Sequence, residues 1–63
     1  MRVYEFKREK RIEEIQELLK DMKLKGEVID NKKLVIAIMN RYNIARRTAG
    51  EYLGVAMFKN ELN

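Results

Sequence analysis

A chain of 63 residues forms one small domain, residues 1–63, with a modest core and no deep substrate cleft. It has no Cys, His or Ser, which excludes disulfides, the common zinc sites and nucleophiles of the Ser–His or Cys–His kind. We therefore expect neither an enzyme nor a protein with a cofactor, a metal or a small-molecule substrate.

The net charge of +4 is concentrated in the second half of the chain. Residues 1–29 carry eight bases and seven acids, whereas residues 30–63 carry six bases and three acids. The stretch from Asn31 to Gly50 contains five bases and no acid. A surface that faces phosphates needs such an excess of positive charge. The five bases are Lys32, Lys33, Arg41, Arg46 and Arg47.

Two further expectations come from composition. No apolar run is long enough for a signal peptide or a membrane span, which favours a cytoplasmic protein without a membrane partner. Charged residues make up 38% of the chain, with Lys and Glu abundant and Gln scarce. This composition resembles the ion-pair-rich surfaces of proteins from thermophiles.

Helical periodicity predicts a first helix from Lys7 to about Lys25, where Gly26 would cap it. Residues 1–6 alternate charged and apolar side chains, which fits either a short strand or the frayed start of this helix, and we favour the helix. The outer face is a ladder of charges that we interpret as solvated rather than as a divalent-ion site. Its apolar stripe is Ile12, Ile15, Leu18, Leu19 and Met22, and its expected ion pairs are Glu17–Lys20 and Asp21–Lys25.

Asp30 is a good N-cap for a second helix that runs from Lys32 to about Arg41. This segment is rich in β-branched residues, so propensity alone would allow a strand, but the cap and the length decide for a helix. We expect Leu34, Ile38 and Val35 to face the core.

A tight turn follows, in which Asn43 would take a left-handed backbone conformation because Asn tolerates it best among the residues other than Gly. A third helix is predicted from Ala45 to about Glu61, since no turn signal follows Gly54 and too few residues remain for a wing hairpin. Its buried stripe would be Ala45, Ala49, Tyr52, Leu53 and Ala56, and the residues pointing away from it Arg46, Arg47, Gly50, Glu51 and Gly54.

The stretch from Tyr42 to Ala49 resembles the helix-turn-helix motif of DNA-binding proteins, in particular small regulators of archaea and of their viruses and plasmids. That motif runs apolar residue, special-backbone residue, apolar residue, two polar residues, Thr and a buried small residue, and Tyr42, Asn43, Ile44, Arg46, Arg47, Thr48 and Ala49 occupy those places. The resemblance extends over Val35–Gly54. Asn43 stands where the family usually has Gly, and because Ala45 cannot cap with its side chain, we expect Asn43 to cap the third helix.

The resemblance implies an all-α three-helix bundle that contains a helix-turn-helix and has no wing or a vestigial one. It also implies sequence-specific binding of double-stranded DNA, either for transcription regulation or at a repeated DNA element. The third helix would enter the major groove. The implied DNA-binding residues are Lys32, Lys33, Arg41, Asn43, Arg46, Arg47, Thr48, Gly50 and Glu51.

Several roles within this set stay open. Arg46 and Arg47 would each either read a guanine or clamp a phosphate, while Lys32 and Lys33 are phosphate contacts that Asn31 and Tyr42 would assist. Thr48 would either donate to a phosphate or bond to its own helix. Gly50 and Gly54 allow either close approach to DNA or close packing between helices.

The expected core consists of Ile15, Leu19, Leu34, Ile38, Ile44, Ala49 and Leu53. A second apolar stripe on the third helix, formed by Val55, Phe58 and Leu62, needs cover. Either Val3, Tyr4 and Phe6 fold back on it, or the same stripe of a second subunit makes a homodimer, which we slightly favour. The alternatives to DNA binding are a protein–protein interaction module without nucleic acid and an RNA-binding protein.

Overall fold

The computed structural model describes the backbone of residues 3–62 and the side chains of residues 6–61. It consists of α1 (Val3–Leu24), α2 (Asn31–Tyr42) and α3 (Arg46–Leu62). Residues 3–62 contain no strand, which confirms the predicted all-α three-helix bundle and the absence of a wing from this part of the chain. Within the same residues, no helix is both long and apolar enough to cross a membrane.

The end of α1 follows the expected glycine cap. Gly26 has a positive φ of 71°. The N–H of Gly26 donates to the carbonyl of Lys23 at 3.1 Å, and that of Glu27 donates to the carbonyl of Met22 at 2.9 Å. These two bonds form a Schellman motif. At its other end α1 is already helical at Val3, in agreement with the helical interpretation of this segment, whereas Met1 and Arg2 lie outside the described residues.

Asp30 caps the start of α2 as predicted. Its Oδ1 accepts hydrogen bonds from the N–H groups of Lys32 at 3.0 Å and Lys33 at 3.4 Å. A side chain that takes two of the unpaired donors at a helix start stabilises that start by about 0.5–2 kcal/mol. The cap therefore explains why a segment rich in β-branched residues is helical.

The turn after α2 depends on Asn43, whose φ of 54° and ψ of 52° place it in the left-handed region, as predicted. Its N–H and that of Ile44 both donate to the carbonyl of Met39, the second at 3.2 Å. Asn43 is thus the C-cap of α2. The expectation that it caps α3 was wrong, because the carbonyl of Ala45 accepts the first bond of α3, from Ala49 at 3.0 Å.

The core forms along α3, which packs against both other helices. Ala49 and Ala56 are fully buried, and their small side chains allow close approach to the neighbouring helices. The buried residues are Ile12, Ile15, Leu19, Leu34, Ile38, Ala49, Tyr52, Leu53 and Ala56. The expected burial of Ala45 was wrong, because Ala45 precedes the first turn of α3 and is exposed. Ile44 packs against the core but is only half-buried, and Leu18 of the apolar stripe on α1 is exposed.

α1 and α3 lie side by side and run in the same direction. Near their starts, the guanidinium carbon of Arg8 lies 5.8 Å from the ring centroid of Tyr52. Further along, the Gln16 side-chain amide donates to Asn60 Oδ1 at 3.3 Å, and the Asn60 amide donates to the Gln16 carbonyl at 3.3 Å. The start of α1 therefore lies beside the start of α3.

The ion pairs among residues 6–61 are few and exposed. The predicted pair between Asp21 and Lys25 forms, with 3.0 Å between Oδ2 and Nζ. The predicted pair between Glu17 and Lys20 is not among the ion pairs of residues 6–61. Exposed pairs of this kind contribute about 0–1 kcal/mol, so the stability of the bundle rests on its core and its caps.

Candidate nucleic-acid interface

The outer face of α3 is the surface to which the sequence assigned DNA binding. All five residues that were expected to point away from the core do so. Arg46, Arg47, Gly50, Glu51 and Gly54 are exposed. This face begins at the turn that Asn43 makes, and Asn43 is itself exposed.

Arg47 and Glu51 form an ion pair one helical turn apart on this face. Nε of Arg47 lies 3.7 Å from Oε1 of Glu51, and the two side chains are 92% and 59% exposed. Water screens such a pair, so it adds little stability. The contact engages Nε and leaves the two terminal nitrogens of Arg47 as donors toward solvent.

Gly50 and Gly54 lie inside α3 and face open space. A Cβ added at either position would meet no atom within 4 Å. Packing between helices of the same chain, one of the two explanations for these glycines, is therefore wrong. Close approach of another molecule stays a prediction.

Lys32 and Lys33 are exposed at the start of α2. Asp30 already accepts from both of their N–H groups, so these two backbone donors are occupied. A phosphate at the start of α2 would thus depend on the ammonium groups of the two lysines, with no help from their backbone N–H groups. Asn31 is also exposed there.

The end of α2 carries a cluster that the sequence did not predict. The Tyr42 hydroxyl donates to Glu14 Oε2 at 2.5 Å, and Nη2 of Arg41 lies 3.7 Å from the same oxygen. Burial and the hydrogen bond to Glu14 raise the pKa of Tyr42 to about 12. The Tyr42 hydroxyl therefore donates a hydrogen bond to α1. Tyr42 lies at the opposite end of α2 from Lys32 and Lys33, so the expectation that it assists phosphate binding by these lysines was wrong.

Arginine side chains surround the same tyrosine. The guanidinium carbons of Arg11 and Arg41 lie 5.2 Å and 5.7 Å from the Tyr42 ring centroid, within the range of cation–π attraction. Arg41, a predicted site residue, is mostly exposed. No periodicity could have linked Arg11 and Glu14 with Tyr42, because these contacts join distant parts of the chain.

Thr48 lies on the flank of α3 and is half-buried. Its hydroxyl makes no hydrogen bond among those of residues 6–61, so the bond to its own helix is not observed. The phosphate contact stays a prediction. The turn at Asn43 separates Arg41 at the end of α2 from Arg46 and Arg47 at the start of α3 by a few residues, whereas Lys32 and Lys33 lie at the far end of α2.

Acidic side chains do not gather into a metal site in the described part of the chain. A groove of about 420 Å³, open to solvent, runs between α1 and α2 past Leu18 and Ala37 to Tyr42. No protein-family model matches the chain, and no curated protein or solved structure does so either.

Proposed function

We propose that this chain binds double-stranded DNA, with α2 and α3 acting as a helix-turn-helix and α3 entering the major groove. One observation carries the proposal. All five bases of the acid-free stretch from Asn31 to Gly50 are exposed, and three of them, Arg41, Arg46 and Arg47, flank one tight turn. A duplex carries a dense row of phosphates, and exposed cations that replace its counterions supply most of the binding free energy that is independent of sequence.

The outer face of α3 also suits the reading of bases. Nε of Arg47 lies 3.7 Å from Glu51 Oε1, on the side away from the terminal nitrogens, which stay available as a fork for guanine N7 and O6. Arg46 has no such partner among the ion pairs of residues 6–61. We therefore assign base reading to Arg47 and phosphate binding to Arg46 and Lys33.

The first test is a titration of random-sequence duplex DNA, followed by fluorescence anisotropy at several salt concentrations. The expected affinity falls as salt rises, by roughly 0.9 in log–log slope for each phosphate contacted. Single-stranded RNA as a competitor separates this function from RNA binding. Absence of duplex binding at low salt would overturn the proposal and leave the two alternatives, a protein–protein interaction module and an RNA-binding protein.

The second test is selection from random duplexes with three variants. Arg47→Ala should relax the preference at one guanine by about 1–3 kcal/mol, whereas Arg46→Ala and Lys33→Ala should weaken all sequences alike. Lys23→Ala, at an exposed position near the end of α1, is the matched control and should change nothing. If Arg46→Ala relaxes the preference and Arg47→Ala does not, the two assignments are reversed.

We further propose that the DNA-bound form is a homodimer held by Phe58, whose side chain is 61% exposed. Val55 packs against the chain's own core and is therefore not part of an uncovered stripe. The other predicted residues, Leu62, Val3 and Tyr4, have side chains outside the described residues. Phe6 is 57% exposed and gives Phe58 no full cover. Phe58 lies about 16 Å along α3 from Arg47, at about 1.5 Å per residue, and so near the other end of the helix.

Sedimentation at micromolar concentration tests the dimer. The wild type should sediment as a dimer and Phe58→Glu as a folded monomer, because an exposed position tolerates the charge. A dimer with two-fold symmetry would present two copies of α3 to the two half-sites of a pseudo-palindromic DNA sequence. A wild type that stays monomeric on duplex DNA would remove the dimer and leave the DNA-binding proposal standing. The regulatory role and the archaeal origin stay predictions of the resemblance.

A further inference from the structure

Three arginines from α1 and α2 lie against two tyrosines beside the start of α3. Arg11 and Arg41 lie over the ring of Tyr42, and Arg8 lies over the ring of Tyr52. We call Arg8, Arg11 and Arg41 the arginine cluster. It includes two residues from the first helix, which no pattern in the sequence connects with nucleic acid.

Within residues 6–61, the arginine cluster has more positive charge than the neighbouring carboxylates neutralise. In this part of the chain Glu14 is the carboxylate that reaches it, and the same oxygen of Glu14 already accepts from the Tyr42 hydroxyl and lies near Arg41. Within residues 6–61, no ion pair includes Arg8 or Arg11. Arg11 and Arg41 carry like charges over one ring, and a bound anion would be attracted to both.

The geometry of the contacts favours phosphate as this anion. A guanidinium group held over an aromatic ring keeps its N–H donors free at the edge, in a planar fork that matches two phosphate oxygens. The tyrosine ring also restricts the motion of the arginine side chain, so less rotamer entropy is lost when a phosphate binds.

The position of the arginine cluster connects it with the reading face. Because α1 and α3 run in the same direction, Arg8 lies beside the early turns of α3. Arg41 and Arg46 are separated only by the turn of residues 42–45. One member of the arginine cluster, Arg41, thus lies close along the chain to the arginines at the start of α3.

We propose that Arg8, Arg11 and Arg41 form a second contact surface, which binds the phosphodiester backbone of the duplex whose groove α3 enters. This inference rests on the proposed function. It extends that function to α1, which would take part in binding through its basic residues as well as supporting the core.

The test compares two double variants that remove the same charge from the same helix. Arg8→Gln/Arg11→Gln alters the arginine cluster, and Lys20→Gln/Lys23→Gln alters exposed lysines near the other end of α1. Duplex affinity is measured at several salt concentrations. The arginine variant should lower the log–log slope by roughly 2, at about 0.9 for each phosphate that is no longer neutralised, and the lysine variant should leave it unchanged.

Two further readouts separate the backbone role from other roles. Arg8→Lys/Arg11→Lys keeps the charges and should keep most of the slope. Selection from random duplexes should give the same preferred sequence for Arg8→Gln/Arg11→Gln as for the wild type, because phosphate contacts carry no base identity. A changed preference would assign these arginines to base edges and overturn the proposal.

The remaining outcomes are also decisive. If the wild type binds duplex DNA and the two double variants have the same slope, the second contact surface is overturned and the proposed function stands. If the wild type binds no duplex, both are overturned. If Arg8→Gln/Arg11→Gln loses its helical circular dichroism, Arg41→Gln replaces it, since Arg41 is exposed. That variant should lower the slope by about 0.9, and an unchanged slope would overturn the proposal.

Discussion

Replacement of Gly50 and Gly54 by alanine should make the protein more stable and a weaker DNA binder. Glycine in a helix interior is about 0.8–1 kcal/mol less favourable than alanine. Because an added Cβ at either position meets no atom within 4 Å, nothing opposes that gain. Each substitution should therefore add about 1 kcal/mol to the free energy of unfolding, or about 4–8 °C to the melting temperature of so small a domain.

Gly26→Ala is the matched control, because this substitution should lower the stability that the other two raise. The φ of Gly26 is +71°, a conformation that costs a residue with a Cβ roughly 1–2 kcal/mol, so this variant should melt lower although its Cβ also meets nothing. Urea unfolding and thermal melting of the three single variants measure the effects. If Gly50→Ala and Gly54→Ala fail to stabilise, the outer face of α3 is not open as described.

The same two α3 variants are then titrated with duplex DNA. A methyl group on this face would stand between the helix backbone and the groove, so affinity should fall as stability rises. Equal affinities for the wild type and both variants would remove close approach as the reason for the glycines, although the roles of Arg46 and Arg47 would be unaffected.

Three other predictions concern the fold. Leu53→Ala should lower the free energy of unfolding by about 2–5 kcal/mol, and Ile44→Ala by less, because Leu53 is 4% exposed and Ile44 is only half-buried. If urea unfolding shows that Ile44→Ala is the less stable variant, the described core is contradicted. Asp30→Ala should lower the free energy of unfolding by about 0.5–2 kcal/mol because it removes the N-cap of α2. Asp21→Ala is the comparison and should have a smaller effect, because the Asp21 carboxylate is exposed and only pairs with Lys25. Folding raises the pKa of Tyr42 from 10.0 to about 12, so the contribution of Tyr42 to stability is complete below the lower value and disappears as pH rises through the higher one. In an ultraviolet titration of tyrosinate, Tyr42→Phe should remove a step near pH 12, and a titration that keeps this step would refute the raised pKa of Tyr42.

Signals confined to a few residues predicted the fold well. Asp30, Gly26 and Asn43 each end or begin a helix through bonds to groups within five positions, so their residue type alone indicated the boundary. Burial was harder to predict. Leu18 has the right spacing on α1 but is 37% exposed, because which part of a wide apolar stripe becomes buried depends on where α3 crosses it.

The part of the candidate site that lies within one helix could be predicted, and the part that joins distant segments could not. The exposure of Arg46, Arg47, Gly50 and Glu51 follows from the helical period of α3 and from its buried stripe. The contact of Tyr42 with Glu14 has no counterpart in the sequence, since it joins residues 28 positions apart. Arg8 and Arg11 belong to what the sequence indicates as a solvated ladder, and only the parallel arrangement of α1 and α3 brings them to the turn.

The start of α3 departs from the rules that stabilise a helix end, whereas the start of α2 and the end of α1 obey them. Ala45 offers no side-chain cap, and the first turn holds two arginines and no acid, although a helix N-terminus carries partial positive charge. Gly50 follows within the next turn. These residues are exposed, so the core does not require them, and departures from local stability tend to occur where a surface serves binding. A phosphate near this end would balance the arginines and the helix dipole at once, which gives a physical reason why this helix, and not α2, would approach the DNA most closely.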